Sequence, residues 1–146
     1  MNLELQATPE EVMRAVEALQ EFGSHHGLSE KDLFGLSLAL EECGSNIVNH
    51  GLRRDPARKF KAAFEFVNGN VVITLRDPGP EFDPTLAPPD ERHPDEAHGG
   101  WGIELVRRFT DKLIYRREDG ENVLRLTKHF ARGSEQPERN RPCAGV

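Results

Sequence analysis

The sequence has few cysteines and no long apolar run, and both absences exclude classes of protein. Cys43 and Cys143 lie far apart, and neither has a second cysteine or a histidine at the spacing of a zinc site. A disulfide framework is therefore not indicated, and reduced, structural thiols are expected. No stretch approaches the roughly 20 apolar residues that span a bilayer. The start, MNLELQATPEE, lacks the basic and apolar regions of a signal peptide, which predicts a cytoplasmic protein.

The chain also lacks an excess of positive charge. Its 19 Lys and Arg residues are outnumbered by 25 Asp and Glu, so the formal net charge is -6. Basic and acidic residues are interspersed, and this pattern favours solubility over electrostatic attraction to DNA or RNA. The 146 residues, 36% of them hydrophobic, suit one domain with a single core.

Two amphipathic helices are predicted in the first third of the chain. Thr8, Pro9 and Glu11 combine an N-cap, a proline at the first helical position and a capping-box carboxylate. This helix is expected to end within residues 23–27. Ser29 with an aspartate three residues later opens the second helix, whose apolar residues recur at helical spacing as far as residue 47.

The second helix carries a polar stripe in the segment LALEECGSNIVNHG. At about 100° per residue, Glu42, Asn46, Asn49 and His50 fall on one face. A carboxylate can orient a nucleophile, and an amide oxygen can bind Mg²⁺. Most stripes of this kind are only solvated, so the stripe alone leaves a functional and a solvent-facing interpretation open.

Two hairpins are predicted after a short strand-like start, NLELQ. The runs FKAAFEFV and VVITLRD flank the turn NGN, and the runs KLIYRR and NVLRLTKHF flank the turn EDGE. The intervening residues 52–59 are predicted to be a loop. Alternation puts Asp77 on the apolar side of its strand, just ahead of Pro78 and Gly79. It is either a turn-forming residue or a buried hydrogen-bond acceptor.

Residues 81–98 are rich in proline and charge and are longer than most connections in compact domains, a feature of mobile lids and of disordered loops. The glycines of HGGWGIELV then precede a short helix. Such glycines leave backbone N–H groups open to a phosphate, or simply form a turn. The tail is polar and rich in Pro and Arg, so residues 131–146 are expected to be disordered.

Three stretches in this order, LALEECGSNIVNHG, DPGPEFDP and HGGWGIELVRRFTD, resemble the ATP-binding domain of the bacterial anti-sigma factor serine/threonine kinases. That family shares the GHKL fold of histidine kinases, gyrase and Hsp90. The resemblance covers about residues 3–130 and implies one ATPase domain over residues 1–130. It also implies an α+β two-layer sandwich, in which a mixed, mostly antiparallel sheet carries helices on one face and ATP binds between helices and lid.

Carried onto this sequence, the resemblance assigns roles to the motif residues. It makes Asn46 the Mg²⁺ ligand and Glu42 the catalytic carboxylate that polarises a serine hydroxyl. Asp77 would accept a hydrogen bond from the adenine amino group, and Gly79 would let the backbone pass close to the base. The remaining nucleotide contacts would come from the loop-to-helix junction: His98, Gly100, Trp101, Gly102 and Ile103.

Other residues have weaker assignments. His93 and Arg92 are further basic candidates for phosphate contact, and His50 is expected to shape the end of its helix. Glu81 departs from the family pattern, because many relatives have a second glycine at this place.

The implied function is that of an anti-sigma factor and Mg²⁺-ATP-dependent serine/threonine-protein kinase. Its partners would be a sigma factor and a STAS-domain anti-anti-sigma factor, which it phosphorylates, and a second copy of the chain in a homodimer. One alternative is a non-catalytic ATP-binding module that sequesters a protein partner. Another is the catalytic domain of a sensor histidine kinase, which is disfavoured because no phosphoacceptor helix precedes the domain.

Overall fold

A computed structural model of the chain describes residues 1–86 and 102–130. The strands in this part are β1 (Asn2–Gln6), β2 (Lys59–Val67), β3 (Asn70–Asp77), β4 (Lys112–Glu118) and β5 (Glu121–His129). The α-helices are α1 (Pro9–His25), α2 (Glu30–Asn46) and α3 (Gly102–Phe109). A π-helical turn (Ile47–Gly51) continues α2, and a 3-10 turn spans Pro84–Leu86.

Some predictions fall wholly or mainly on the remainder of the chain. Most of the segment 81–98 and the whole tail 131–146 lie outside the described residues, as do His93 and Arg92. The predictions of a mobile or disordered loop, a disordered tail and a domain that ends at residue 130 therefore stay predictions. Within the described residues, no helix is long and apolar enough to cross a membrane.

The five strands form one sheet in the order β1-β2-β3-β5-β4. All four pairings between the described strands are antiparallel, and the α-helices pack on one face, so the predicted α+β two-layer sandwich is confirmed. Both predicted hairpins are present. Asn68 and Gly69 in one turn, and Asp119 and Gly120 in the other, have positive φ angles between 51° and 79°, as tight hairpin turns require.

The two long helices begin where the sequence predicts. Ser29 and Asp32 form the complete capping box of α2, because each side chain accepts a hydrogen bond from the other residue's backbone N–H. Thr8 caps α1 through its hydroxyl, which accepts a hydrogen bond from the Glu11 amide. The predicted capping-box role of Glu11 is different in detail. Its carboxylate accepts from the amide of Gln6, at 3.1 Å, and therefore joins α1 to the end of β1.

The core lies between the sheet and the helices. Along β3 the alternating residues Val71, Ile73 and Leu75 are buried, and Asp77 ends the same row. Opposite them, the buried side chains of α1 and α2 include Leu19, Leu36 and Leu40 among others. Burial of each such aliphatic side chain contributes about 1.5–3 kcal/mol. The last residue of this buried row in β3, Asp77, therefore places its carboxylate at the edge of the apolar core.

Two glycines let the neighbouring helices approach α2 closely. A Cβ at Gly44 would lie 3.2 Å from Val12 of α1, and a Cβ at Gly35 would overlap the ring of Phe109 in α3. A side chain at Gly35 would have to displace the Phe109 ring, and one at Gly44 would press against Val12. The central helix is thus held against both of its neighbours, and its polar stripe lies at the junction of all three.

We expect Gly35→Ala to lower the free energy of unfolding by about 1–3 kcal/mol, because the added methyl group must displace the Phe109 ring. Urea denaturation measures the loss. The double variant Gly35→Ala/Phe109→Leu is the control, since the smaller leucine side chain makes room and the two losses should not add. An unchanged unfolding midpoint for the single variant would contradict this packing.

Candidate functional site

A cleft of about 500 Å³ is bordered by α1, α2, the π-helical turn and the start of α3. Glu42 and Asn46, one helical turn apart on α2, lie on its wall together with Gly102, the first residue of α3. Three of the predicted site residues, from two motifs more than fifty positions apart, therefore meet at one place. The stripe on α2 faces a cleft, and its functional interpretation gains support.

The carboxylate of Glu42 lies directly against the start of α3. A Cβ placed on Gly102 would be 2.5 Å from Glu42 Oε2, so a side chain at this position would displace the carboxylate from its place. The N-terminus of a helix favours negative charge, because its first backbone N–H groups have no partner within the helix. The arrangement brings a carboxylate and an anion-attracting helix end together within one cleft.

The π-helical turn connects this cleft to the Asp77 motif. A Cβ at Gly79 would be 3.0 Å from the carbonyl oxygen of Gly51, the last residue of the turn, and 2.9 Å from Asp77 Oδ1. Asp77 and Gly79 do not themselves line the cleft described above. They lie beyond Gly51, so the two halves of the predicted nucleotide site are neighbours in space.

Asp77 is both a turn former and a buried acceptor. Only 5% of the residue is exposed, and Oδ1 accepts hydrogen bonds from the amide of Gly79 at 2.8 Å and from Asn122 Nδ2 at 3.1 Å. The other oxygen, Oδ2, receives no hydrogen bond from residues 1–86 or 102–130. The two interpretations that the sequence left open are thus compatible, and one carboxylate oxygen is available to a ligand.

Asn122 is a site residue that the sequence analysis missed. It is buried in β5, and its amide group donates to Asp77 and to the carbonyl of Pro80 at 2.9 Å. Its carbonyl oxygen accepts from the Tyr115 hydroxyl at 2.6 Å and the Phe82 amide at 3.2 Å. The strand register pairs it with Asp77, so the signal was present only in the order of the strands.

Asn122 lies at a junction between β4, β5 and the chain that follows β3, and the neighbouring side chains add hydrogen bonds to it. Burial, together with the negative charge of nearby Glu81, raises the pKa of the Tyr115 hydroxyl, which therefore stays protonated and donates. Arg117 Nη1 donates to the carbonyl of Gly79 at 2.9 Å. Glu81 itself is exposed. The chain that follows β3 is thereby fixed to strands β4 and β5.

Arg54 is a second residue that the sequence analysis missed, because residues 52–59 were predicted only as a loop. Its side chain lines the cleft, and its Nε donates to Asn49 Oδ1 at 2.8 Å. Asn49 and His50, both in the predicted stripe, also line the cleft. The arginine pair directly after the helix was the available signal, but a sequence pattern does not show that the chain turns back.

The remaining predicted contacts divide into two groups. Ile103 is half-buried at the start of α3 and packs against the core, so the structure gives it an apolar supporting place. His98, Gly100 and Trp101 lie outside the described residues, and their contacts with nucleotide stay predictions.

The donor set at the cleft suits a magnesium nucleotide. The amide oxygen of Asn46 is a hard oxygen donor, the type that Mg²⁺ binds, and the Glu42 carboxylate lies one turn away on the same wall. No cluster of three or more His, Cys, Asp or Glu side chains that could hold a metal occurs in the described part of the chain. Mg²⁺ typically uses one or two protein ligands together with phosphates and water, so this sparse set fits it.

Comparison with known proteins agrees with this geometry. A model of the histidine kinase-like ATPase domain matches residues 5–128. The serine/threonine-protein kinase BtrW of Bordetella bronchiseptica is 33% identical over 133 residues, which cover 89% of this chain and 94% of BtrW. The serine-protein kinase RsbW of Oceanobacillus iheyensis is 23% identical over 138 residues, covering 90% of this chain and 87% of RsbW.

A solved structure extends the comparison to the fold. A chain in the crystal structure of the SiaB–SiaC complex from Pseudomonas aeruginosa matches with a TM-score of 0.61 at 10% identity, over 88% of each chain. This chain belongs to the histidine kinase-like ATPase domain family. It is accordingly an ATP-using protein kinase of the GHKL fold, and the resemblance to the anti-sigma kinases is confirmed.

Cys43 gives a test of packing next to Glu42. It is buried, and burial together with the negative charge of Glu42 raises its thiol pKa to about 12. Only about one thiol in ten thousand would then be ionised at pH 8, and the thiolate is the reactive form. In a Cys143→Ser background, a thiol reagent at pH 8 should leave the folded protein unlabelled and label it in urea. Rapid labelling of the folded protein would contradict the buried position.

Asn122→Ala should lower the free energy of unfolding by about 2–3 kcal/mol, because several buried donors and acceptors lose their partner together. The matched control is Tyr115→Phe, which removes one of these hydrogen bonds and should cost about 1 kcal/mol. Urea denaturation at pH 7 compares the two variants. Equal losses would show that Asn122 does not connect the strands in the way described.

Proposed function

We propose that this kinase is a cytoplasmic anti-sigma factor that phosphorylates a serine or threonine of a STAS-domain anti-anti-sigma factor with Mg²⁺-ATP. The observation that carries the proposal is the position of Glu42 and Asn46, one turn apart on a cleft wall that also contains Gly102. Transfer to a hydroxyl needs a carboxylate within hydrogen-bond reach of that hydroxyl and a metal-bound phosphate in line with it. These residue types at these positions meet both needs.

The residues would divide the work of phosphoryl transfer. The amide oxygen of Asn46 would hold Mg²⁺, which neutralises phosphate charge when bound. Glu42 would accept the proton of the attacking hydroxyl and orient it. Backbone N–H groups near Gly102, at the start of α3, would hold the phosphates. Transfer of this kind depends on positioning and on charge stabilisation, because the protein forms no covalent intermediate.

Asp77 would select the base. Its free oxygen is an acceptor for the amino group of adenine, whereas guanine presents a carbonyl at that place and would be repelled. Asn122 and Gly79 hold the other oxygen, so the carboxylate keeps one orientation. The part of the segment 98–103 that the structure describes, Gly102 and Ile103, adjoins the phosphate end, and we extend the phosphate site to His98, Gly100 and Trp101.

Phosphorylation would then exchange the partners of the kinase. A phosphate at an interface adds a charge of about -1.5 to -2, so repulsion and desolvation would release the modified STAS-domain protein. The kinase would be left to bind the sigma factor. Similarity to RsbW, and to a chain crystallised in a two-protein complex, supports a protein partner over a small-molecule substrate. The homodimer stays a proposal of the same kind.

We expect Glu42→Gln to abolish phosphoryl transfer and to preserve ATP binding, because the amide keeps the shape but cannot accept a proton. Asn46→Ala should weaken both, since it removes the metal ligand. The measurement is transfer of labelled γ-phosphate from Mg²⁺-ATP to STAS-domain proteins of the same organism, with the bound nucleotide quantified separately.

The outcomes separate the proposal from its main alternative. Label on a serine or threonine that disappears in the Glu42 variant supports the kinase mechanism. Binding of ATP with no labelled partner would favour a non-catalytic module that sequesters its partner, for which the departure at Glu81 is the available sequence argument. A fully active Glu42→Gln variant would rule out the carboxylate as the base.

A further inference from the structure

The backbone after the π-helical turn is strained at two successive arginines. Arg53 and Arg54 have φ angles of 55° and 58°, in the left-handed region that residues with a Cβ avoid. Hydrogen bonds hold them there. The amide of Leu52 donates to the carbonyl of Ile47, and the amide of Arg54 donates to that of Val48, both at 2.7 Å. Strain of this kind is frequent at functional sites, where it positions a group.

The strained turn lies at the edge of the cleft. The Arg54 side chain lines the same cleft as Glu42, Asn46 and Gly102, and its Nε is fixed by Asn49 Oδ1 at 2.8 Å. The two terminal nitrogens of the guanidinium donate to no residue in the described ranges 1–86 and 102–130. The planar fork is therefore oriented by one neutral partner and leaves its outer donors for another group.

Arg54 also supplies positive charge to a cleft that acidic residues line. Among the described residues that line it, Glu41 and Glu42 are acidic, and Arg54 is the one Lys or Arg. Arg54 forms no salt bridge within the described part of the chain, so its charge is not neutralised by a carboxylate there. A nucleoside triphosphate that enters a cleft with two carboxylates is repelled unless positive charge offsets them. A guanidinium group suits this purpose, because it can donate two parallel hydrogen bonds to phosphate oxygens.

We propose that Arg54 binds the terminal phosphates of the nucleotide, and that Asn49 is the positioning residue that orients its guanidinium. This inference rests on the ATP site of the proposed function and adds a phosphate ligand that comes from the connection after α2. On this assignment, the strained backbone at Arg54 positions its guanidinium next to the phosphates.

Arg53 supplies a matched control for the test. It is the neighbouring arginine, it has almost the same φ angle, and it does not line the cleft. Arg54→Ala and Arg53→Ala therefore remove the same charge from the same type of backbone. Isothermal titration with Mg²⁺-ATP, ADP and adenosine gives the dissociation constants of both variants and of the wild type.

The expected results differ by ligand. Arg54→Ala should weaken ATP binding about tenfold or more, which is the usual effect of losing a hydrogen bond to a charged group, and should leave adenosine binding unchanged. Arg53→Ala should remain within about twofold of the wild type for every ligand. Asn49→Ala should weaken ATP binding less than Arg54→Ala does, and Arg54→Lys should retain part of the affinity, because a charge without the fork still attracts phosphate.

Arg54→Gly distinguishes a ligand-binding role from a structural one. Glycine adopts a positive φ without a steric penalty, so this variant should have a higher melting temperature than Arg54→Ala. Its affinity for ATP should nevertheless be as low as that of Arg54→Ala. If Arg54 served only to stabilise the turn, the more stable Arg54→Gly variant would bind ATP more tightly than Arg54→Ala does.

Provided that the wild type binds ATP, two results would overturn the inference. One is an Arg54→Ala variant that binds ATP as tightly as Arg53→Ala while the wild type binds ATP, in which case the proposed function stands and this assignment fails. The other is an equal loss of affinity for ATP and adenosine, which would indicate a general disturbance of the site. If the wild type binds no ATP at all, the proposed function fails and the assignment of Arg54 fails with it.

Discussion

The continuous segment formed by α2 and the π-helical turn is the constraint on which the rest of the site depends. It is held from both sides through Gly35 and Gly44, where the side chains of Phe109 and Val12 in the neighbouring helices approach closely. With the helix fixed in this way, its polar stripe cannot turn into solvent. The end of the same segment, Gly51, reaches the Asp77 motif. One segment therefore joins the cleft that contains Glu42 and Asn46 to the Asp77 motif, and a change in its packing would alter both.

The candidate site has one part in which buried polar groups are hydrogen-bonded to each other and another in which the backbone is strained. The junction around Asn122 joins β3, β5, β4 and the chain after β3 with short hydrogen bonds, and such buried polar groups are stabilising only when their partners are present. The connection after the π-helical turn has two residues in an unfavourable conformation instead. The Asp77 carboxylate is held by two donors and the Arg54 guanidinium by one acceptor on a strained turn, so both side chains have a defined orientation and keep polar atoms without a partner in the described residues.

Much of the fold follows from local patterns. The hairpin turns were predicted because Asn-Gly and Asp-Gly tolerate positive φ angles, and the start of α2 because Ser29 and Asp32 satisfy each other's backbone. Such signals are complete within a few residues. The same reasoning failed where the pattern did not specify the partner. The carboxylate of Glu11 bonds to the amide of Gln6 at the end of β1, and the capping-box pattern does not indicate this donor. Asn122 was missed because its partner, Asp77, lies in a distant strand, and Arg54 because a loop pattern does not show which side chains face the cleft.

The sequence by itself determined the family, the order of the three motifs and the residue types at the candidate site, because these depend on composition and spacing along the chain. The resemblance carried by these motifs implied the two-layer sandwich, and alternation and helical periodicity predicted its individual strands and helices. Only the tertiary structure decided that Glu42 lies against Gly102, that Asn122 pairs with Asp77, and that Arg54 lines the cleft. The first two contacts depend on helix spacing and strand order, which arise from packing among distant segments. The third depends on two left-handed residues that the sequence pattern did not indicate.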